Sequence, residues 1–471
     1  MGEQSEVTPG GSCLIGFMAG SAAILKIANL TAIKQLPFDA KSDVASVGHR
    51  LPEDTQFQDG IHMLDEITKD KTLDQPARKP AAPAKPLRVA ILWKYPSLGL
   101  YSNSAFEDLY NGIGHNNGNL AFVYAIASHI SNPVKFFGWS ASAETLKENA
   151  DIIVIPCANQ LGRHTDYGSM ADNLERSGLP IVAIGLGAQA DSYDQDVQLT
   201  DGTHRWAQVI ARSNSSSSSS NIYTRGAFTS SQLDKLGIHG SVAGGCPSYF
   251  TNQDPGLGKK IHKHWSGTAL PGSISVAAGH QAWLKTRDIE HQLIALMMDP
   301  MYPGQYVVQS MGEMIRVSRG IFEEIDPHAL KEIHNHTVPH YSFEEFKAWC
   351  RNYVRSFYDV PAWMDTLRRH DFTIGSRYHG VALALQAERM GLTVTIDSRT
   401  RELCENTGVP HVAAADLTMP LTRSSLKKMI HFDPDAYDRH RSEAASKYLD
   451  FLTANRLQPA AFLNRLAAGG S

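Results

Sequence analysis

Phe372-Thr-Ile-Gly-Ser-Arg-Tyr-His-Gly-Val-Ala-Leu-Ala-Leu385 is the stretch on which the fold turns. Its apolar start reads as a buried strand ending at Gly375, its middle as a polar turn, and its apolar end as a helix beginning near Gly380. A parallel sheet with crossover helices puts such turns at the carboxyl ends of its strands. There the free N–H groups and the dipole of the following helix favour negative charge. Ser376 lies in this turn. Arg377 adds a permanent donor fork that matches a carboxylate or phosphate. His379 adds a group that gives or takes a proton near neutral pH. The residues alone equally allow an arginine tied to a neighbouring carboxylate and a histidine capping the helix.

The same topology recurs in Asn221-Ile-Tyr-Thr-Arg-Gly226, where a strand ends at Arg225 and the helix-like run Ala227 to Leu236 follows. Two arginines from different halves of the chain, converging on one cleft, suit a small ligand with two or three negative charges. A third element, Gly112-Ile-Gly-His-Asn-Asn-Gly-Asn119, follows the first strand. Its glycines and asparagines, with Asn116, Asn117, Gly118 and Asn119 as candidate contacts, allow backbone N–H groups to approach a ligand. A plain flexible loop is the alternative. The pattern is neither G-x-G-x-x-G nor a Walker A sequence, so nucleotide binding does not follow. Gly185-Leu-Gly-Ala-Gln189 is a weaker version of the same signal.

Short continuous apolar runs alternate with longer amphipathic ones from Arg88 onward. Strands are expected at Arg88–Trp93, Val134–Trp139, Asp151–Pro156, Pro180–Gly185, Asn221–Thr224 and Ser241–Ala243. After a polar stretch, Thr251–Leu270, a second series is expected at Ser273–Ala278, Gln305–Gln309, Phe372–Gly375, Leu392–Asp397 and His411–Ala414. Helices are expected at Leu120–Ile130, Glu344–Phe357 and Gly380–Met390, and through the final stretch Pro434–Ala467. Buried-type strands with helical crossovers mean parallel sheets, hence an α/β fold of two Rossmann-like domains facing a cleft. The expected division is an accessory region over residues 1–87, ending in the Lys-, Pro- and Ala-rich linker Asp70–Leu87, then domains over 88–265 and 266–433, then a helical segment over 434–471. The serine run at 215–220 is low-complexity and carries no chemistry.

At 471 residues the chain exceeds what one core usually needs. Its net charge of −4, from 44 basic and 48 acidic residues, argues against nucleic acid as a partner. The five cysteines, Cys13, Cys157, Cys246, Cys350 and Cys404, form no C-x-x-C pair and fit a reducing compartment. Cys157 and Cys246 lie in or beside apolar runs and read as buried thiols. The apolar run Cys13–Leu25 lacks a basic flank and is shorter than the roughly 20 residues a span requires. A cytoplasmic protein is the expectation. No metal site is expected: His328, His334, His336 and His340, and His262 with His264, have no accompanying cysteine and lie in polar, loop-like sequence. Asp194 and Asp196 form an acidic pair that reads as a solvated loop.

Taken in order, these elements resemble the polysaccharide pyruvyltransferase family. The matching segments are Gly114-His-Asn-Asn-Gly-Asn-Leu-Ala-Phe122, Asp151-Ile-Ile-Val-Ile-Pro156 and Leu179-Pro-Ile-Val-Ala-Ile-Gly-Leu-Gly-Ala-Gln189. Thr224-Arg225, Gly245-Cys-Pro-Ser248, Ile374-Gly-Ser-Arg-Tyr-His-Gly380, Val394-Thr-Ile-Asp-Ser398 and Gly408-Val-Pro410 complete the set, which spans roughly residues 88–430. The resemblance implies transfer of a pyruvyl group from phosphoenolpyruvate, as donor substrate and with no further cofactor, to a pair of sugar hydroxyls. A ketal and free phosphate would result, in an architecture similar to the glycosyltransferase-B fold. By motif match, Arg377 and His379 take the family's R-x-H positions and Arg225 the arginine after the preceding domain's strand. His379 is then the acid/base candidate, with Arg377, Arg225, Ser376, Asn116, Asn117, Gly118 and Asn119 as substrate contacts. A lipid-linked acceptor would bring the protein to the inner face of a membrane as a peripheral visitor. Two alternatives stay open: a nucleotide-sugar glycosyltransferase of the same architecture, and a non-catalytic relative that binds a glycan or anion.

Overall fold

Ile152-Ile-Val-Ile-Pro156 is buried at every position, as a central parallel strand covered on both faces must be. It is the middle of a six-stranded sheet in the computed structural model, which describes residues 85–94, 104–189, 195–214 and 220–469. Most of the expected accessory region (residues 1–84), serines 215–219, Asp191 and Asp194 lie outside the described residues. The first sheet comprises β1 (Val89–Leu92), β2 (Val134–Phe137), β3 (Ile152–Pro156), β4 (Ile181–Leu186), β5 (Ile222–Thr224) and β6 (Val242–Ala243). Their order is β2-β1-β3-β4-β5-β6, and every pairing is parallel. The second sheet comprises β7 (Ile274–Ala277), β8 (Gln305–Val307), β9 (Val354–Arg355), β10 (Phe372–Gly375), β11 (Met390–Thr395) and β12 (His411–Ala413). It is also wholly parallel, in the order β12-β11-β10-β7-β8-β9. The expected α/β architecture of two Rossmann-like halves is therefore what the chain adopts. In each sheet the winding direction reverses once, between β1 and β3 in the first and between β7 and β10 in the second. Ligand crevices of open α/β sheets form at such points.

Several expectations need correction. The polar stretch 251–270 is not a plain connector: Leu257–Gly267 is a helix that buries Leu257, Ile261 and Trp265 on one face. The sequence around His328–His340 is likewise not loop-like. Asp326 caps the helix Pro327–Thr337 by accepting from the N–H groups of His328 and Ala329, a start signal that proline at the first helical position reinforces. The helix expected over 344–357 ends at Tyr353, and the chain continues directly into β9. The final helical stretch is two helices, Pro434–Ala454 and Ala461–Ala467. Between them the chain turns at Arg456, with φ of 61°, and Pro459 forms a bridge with Ile130. No helix among the described residues is long and apolar enough to cross a membrane.

Two features join the halves. At the mouth of the cleft, the N–H of Asn117 donates to the carbonyl of Gln309 (2.9 Å), and Asn116 pairs with Ser310 in an antiparallel bridge. Behind it, the helix Pro434–Ala454 returns from the second half to the first. It buries Tyr437, Arg441, Ala445, Tyr448 and Leu452 along one stripe, and Tyr448 packs against Tyr223, Phe250 and His129. Arg441, 1% exposed, donates to the carbonyls of Tyr249 (3.1 Å), Asp254 (2.6 Å) and Asn252. It thereby holds the segment that links the two sheets. Arg441→Met leaves those carbonyls buried without a donor, and a loss of about 3 kcal/mol is expected. Arg441→Lys should recover only part of it, because one ammonium cannot reproduce the planar fork. Urea unfolding of both variants measures this; an Arg441→Met midpoint equal to the parent's refutes the linker role.

Candidate active site

Gly375 ends β10, and Arg377 is the N-cap residue of the helix Tyr378–Gln386, with φ −103° and ψ 107°. No side chain caps this helix start, so its first N–H groups face the end of the sheet. Arg377 stands at the β7/β10 reversal, its guanidinium 4.5 Å from the ring of Trp283. Its Nε and the Oγ of Ser376 are both buried without a hydrogen-bond partner. Burial, and then the neighbouring charge of Arg399, push the Arg377 pKa down to about 10. The neighbouring carboxylate that would tie Arg377 down is thus replaced by an indole face, and a permanent donor is left for something else.

Arg225 follows β5 and is 4% exposed. Its Nε donates to the carbonyl of Gly185 (3.0 Å), and its guanidinium lies 5.9 Å from the ring of Phe122. Burial lowers its pKa, and the charge of Arg399 lowers it further. His379, 9% exposed, lies between the halves. Its Nε2 is 3.6 Å from Sγ of Cys246, and its ring is 5.7 Å from that of Phe122. Burial, then the charges of Arg225 and Arg399, push its pKa down to about 3, so the imidazole is neutral at pH 7. Cys246 is a buried thiol whose pKa burial raises; it also contacts Ser248 Oγ at 3.1 Å. Arg225, Arg377 and His379 are therefore brought together from two sheets.

The Asn-Gly loop does something different from what its composition suggests. Its N–H groups are already engaged: Asn117 on Gln309, Gly118 on Oδ1 of Asn116 (2.9 Å), and Asn119 on the carbonyl of Asn116 (3.0 Å). Asn117 is fully buried and its Nδ2 donates to the carbonyl of Phe357 (2.9 Å), while Asn119 Nδ2 donates to the carbonyls of Ile113 and Gly114. The loop is a seam rather than a phosphate cradle. Toward His379 its contribution is proximity. A Cβ on Gly118 would sit 2.8 Å from Oε1 of Gln309 and 3.2 Å from Nδ1 of His379, so only glycine lets the loop lie this close to the histidine.

Four residues join the site without having been singled out from the sequence. Arg399 follows β11 just as Arg377 follows β10, and it ion-pairs with Asp397 (3.2 Å), the N-cap of the helix Ser398–Thr407. The strand-to-helix rule that picked out Arg377 would have found it. Gln309 is 2% exposed, with Nε2 unpartnered. Trp283 lies in a loop with no periodic signal. Glu290 lies on the buried face of the helix Arg287–Met297 with Leu293, Ile294 and Met297; a carboxylate on an apolar stripe is the signal for it. Its Oε1 accepts from the N–H of Gly279 (2.8 Å) and its Oε2 from the Tyr306 hydroxyl (2.8 Å). Burial pushes its pKa up to about 7 against the opposing pull of these donors and Arg377. No group of three or more His, Cys, Asp or Glu side chains among the described residues is arranged to hold a metal ion. Asp196 pairs with Lys235 at the surface.

A family model for polysaccharide pyruvyl transferases matches residues 64–397. No curated protein sequence matches the chain. Solved structures similar to it include the UDP-GlcNAc 2-epimerase of Methanocaldococcus jannaschii in complex with UDP-GlcNAc and UDP, at 8% identity and a TM-score of 0.37, covering 77% of this chain and 99% of that one. The UDP-GlcNAc 2-epimerase of Neisseria meningitidis is 7% identical with a TM-score of 0.34, covering 81% and 99%.

Glu290 makes stability depend on pH in a defined direction. Its folded pKa lies above the ordinary 4.5, so the protonated form is the one the fold favours. Ionisation weakens the native state as pH rises from about 4.5 to about 7, and the loss is constant above that. Glu290→Gln removes the charge while keeping an acceptor for Gly279. Its stability relative to the parent should therefore grow across this window, by on the order of 3 kcal/mol. Urea unfolding of both proteins at several pH values checks it; a difference that stays flat with pH contradicts the assignment.

Proposed function

We propose that this chain, which belongs to the polysaccharide pyruvyl transferase family, moves a pyruvyl group from phosphoenolpyruvate to two hydroxyls of a sugar, forming a cyclic ketal and releasing phosphate. The observation that carries the reading is a buried, neutral histidine that feels the charges of Arg225 and Arg399, with Arg377 two residues before it in the same turn, and with Arg225 and Arg377 held by a backbone carbonyl and an aromatic ring instead of a carboxylate. A small ligand with a carboxylate and a phosphate is the complement of that charge. Phosphoenolpyruvate is such a ligand, and as written the reaction calls for no bound cofactor.

The atoms balance as follows. One hydroxyl oxygen attacks C2 of the enol while its proton passes to the methylene carbon, which becomes a methyl group. The second hydroxyl then displaces phosphate at the same carbon, and its proton leaves with the phosphate. His379 is assigned the first transfer. It starts neutral, so it accepts the hydroxyl proton; the bound anion offsets the repulsion from Arg225 and Arg399 and raises the basicity of the ring. Arg377 and Arg225 bind the donor's anionic groups, with the helix start at Tyr378 and the Ser376 hydroxyl beside them. An acceptor that is lipid-linked would bring the protein to a membrane surface from the cytoplasmic side.

Phosphoenolpyruvate and a panel of galactose-, mannose- and glucose-containing acceptors test the reaction. Phosphate release with a product mass gain of one pyruvyl ketal is expected; nucleotide release from a sugar nucleotide instead overturns it. His379→Ala should lower turnover by ~10²–10⁴-fold and leave donor affinity, measured by calorimetry, within a few-fold. Arg377→Ala and Arg225→Ala should each weaken donor binding by about tenfold or more. Turnover by His379→Ala within a few-fold of the parent removes the histidine from the chemistry, and unchanged donor affinity in both arginine variants removes the anion clamp.

A further inference from the structure

A second feature sits at the other reversal point. Where the first sheet changes winding direction, between β1 and β3, a cavity of about 560 Å³ opens at the strands' carboxyl ends. The chain leaving β1 contributes Trp93 and the chain leaving β3 contributes Ala158, Asn159 and Gln160. One wall is aromatic: Trp93 and Trp139 lie 5.6 Å apart, and Trp139 and Tyr167 5.8 Å apart. Phe122 supports this row behind Trp93 and Trp206 behind Tyr167. The rest of the lining carries amides, a histidine and one cation, among them Asn116, Asn159, Gln160, His164 and Lys94. No carboxylate lines the cavity among the described residues, and the buried indole N–H of Trp93 has no partner.

This cavity and the arginine site adjoin. Asn116 lines the cavity, and its Oδ1 accepts from Gly118, the residue packed against His379. On the other side, the N–H of Gly187 donates to the carbonyl of Ala158 (2.6 Å). A Cβ on Gly187 would meet Cδ of Arg225 at 2.8 Å and that same carbonyl at 2.9 Å. Ala158 and Gly187 thus lie between the cavity and Arg225, and Asn116 and Gly118 between the cavity and His379. The charge of Arg399 also reaches across, lowering the pKa of His164 together with burial.

The rings meet at angles, 77° between Trp93 and Trp139 and 50° between Trp139 and Tyr167, so each offers its own face; one such face beside hydrogen-bonding side chains is the complement of a pyranose, with its C–H face and its rim of hydroxyls. The volume falls within the ~300–1,000 Å³ of small-molecule sites and exceeds what one sugar ring fills. We propose that this cavity is the acceptor site and that it takes a glycan of at least two sugar rings, one stacked on Trp139, with a hydroxyl pair directed past Gly118 toward His379. The assignment rests on the pyruvyl-transfer reading for the identity of the partner, but the cavity can be tested apart from it.

Trp139 is partly buried at the edge of the core, so the fold of each variant is checked by its urea midpoint. Methyl β-lactoside and a methyl mannobioside, with methyl β-galactoside and methyl α-mannoside as single-ring controls, are titrated by tryptophan fluorescence and calorimetry. Phosphoenolpyruvate is titrated separately. At least one disaccharide should bind the parent more tightly than its single-ring control. Trp139→Ala should weaken that binding by about tenfold or more, Trp139→Phe should restore most of it, and phosphoenolpyruvate affinity should stay within twofold in both variants. Absence of glycoside binding by the parent overturns the proposal, as does glycoside binding that Trp139→Ala leaves unchanged. Binding through Trp139 without phosphate release from phosphoenolpyruvate upholds the cavity as a glycan site and sinks the pyruvyl-transfer reading instead. Phosphate release whose acceptor KM is untouched by Trp139→Ala does the reverse.

Discussion

The N–H of Asn117 meets the carbonyl of Gln309 across the cleft, and the rest of the site is placed by that contact. Asn117 belongs to the loop after the first strand of one sheet, and Gln309 to the segment after the second strand of the other. Asn117 is fully buried, and its amide fixes a third segment by donating to the carbonyl of Phe357. With the Asn116–Ser310 bridge beside it, the seam holds the ends of two independent sheets at a constant separation. Backbone hydrogen bonds are well suited to this, because they leave no side-chain rotamer free to relax the spacing. The residue following the seam is a glycine, and a Cβ there would crowd the side-chain ends of Gln309, Asn116 and His379.

Across that seam the chain gathers positive charge that it does not neutralise. Arg399 has its own carboxylate in Asp397, yet its charge still lowers the pKa of Arg225, Arg377 and His379. Arg225 and Arg377 are supported by a carbonyl and an indole, which orient a guanidinium without cancelling it. Buried cations so arranged repel one another, and the repulsion is relieved when an anion enters. The folded chain carries the cost of holding these groups in position before the ligand arrives, which is the condition for tight anion binding with little rearrangement. Glu290 belongs to the same balance: a buried carboxyl that titrates near neutrality beside Arg377 varies the local charge where a permanent ion pair would cancel it.

How much of this was legible in the sequence depends on how local each cause is. The parallel sheets were legible because a strand buried on both faces is written as a continuous apolar run, as in Ile152–Pro156 and Val89–Leu92. Arg377 and Arg225 were legible because a strand-to-helix turn in such a fold faces the ligand side whatever its partners are. The strand Val354–Arg355 was not, because two residues carry no period and their pairing with β8 is a tertiary event. The helix Leu257–Gly267 was hidden by its polar face; its apolar stripe is only Leu257, Ile261 and Trp265. The Asn-Gly loop was read by composition as a ligand cradle, and its real work became visible only once the far strand supplied the carbonyl of Gln309. Glu290 and Gln309 were missed for the same reason: a polar side chain at a buried position declares itself only when its surroundings are known.

The two reversal points of the two sheets carry opposite chemistry, and their adjacency is what a group transfer between unlike substrates requires. One is lined by guanidinium groups and a helix start and favours a small anion. The other is lined mainly by aromatic rings and amides, with Lys94 at its edge and, among the described residues, no carboxylate. Gly118 and Gly187 lie between them, and a side chain at either position would push against His379 or Arg225. Glycine at the shared edge keeps side chains out of the gap where an acceptor hydroxyl would have to meet the donor and the imidazole. On this reading glycine is placed where the reaction needs proximity, and the seam through Asn117 keeps that proximity from being lost.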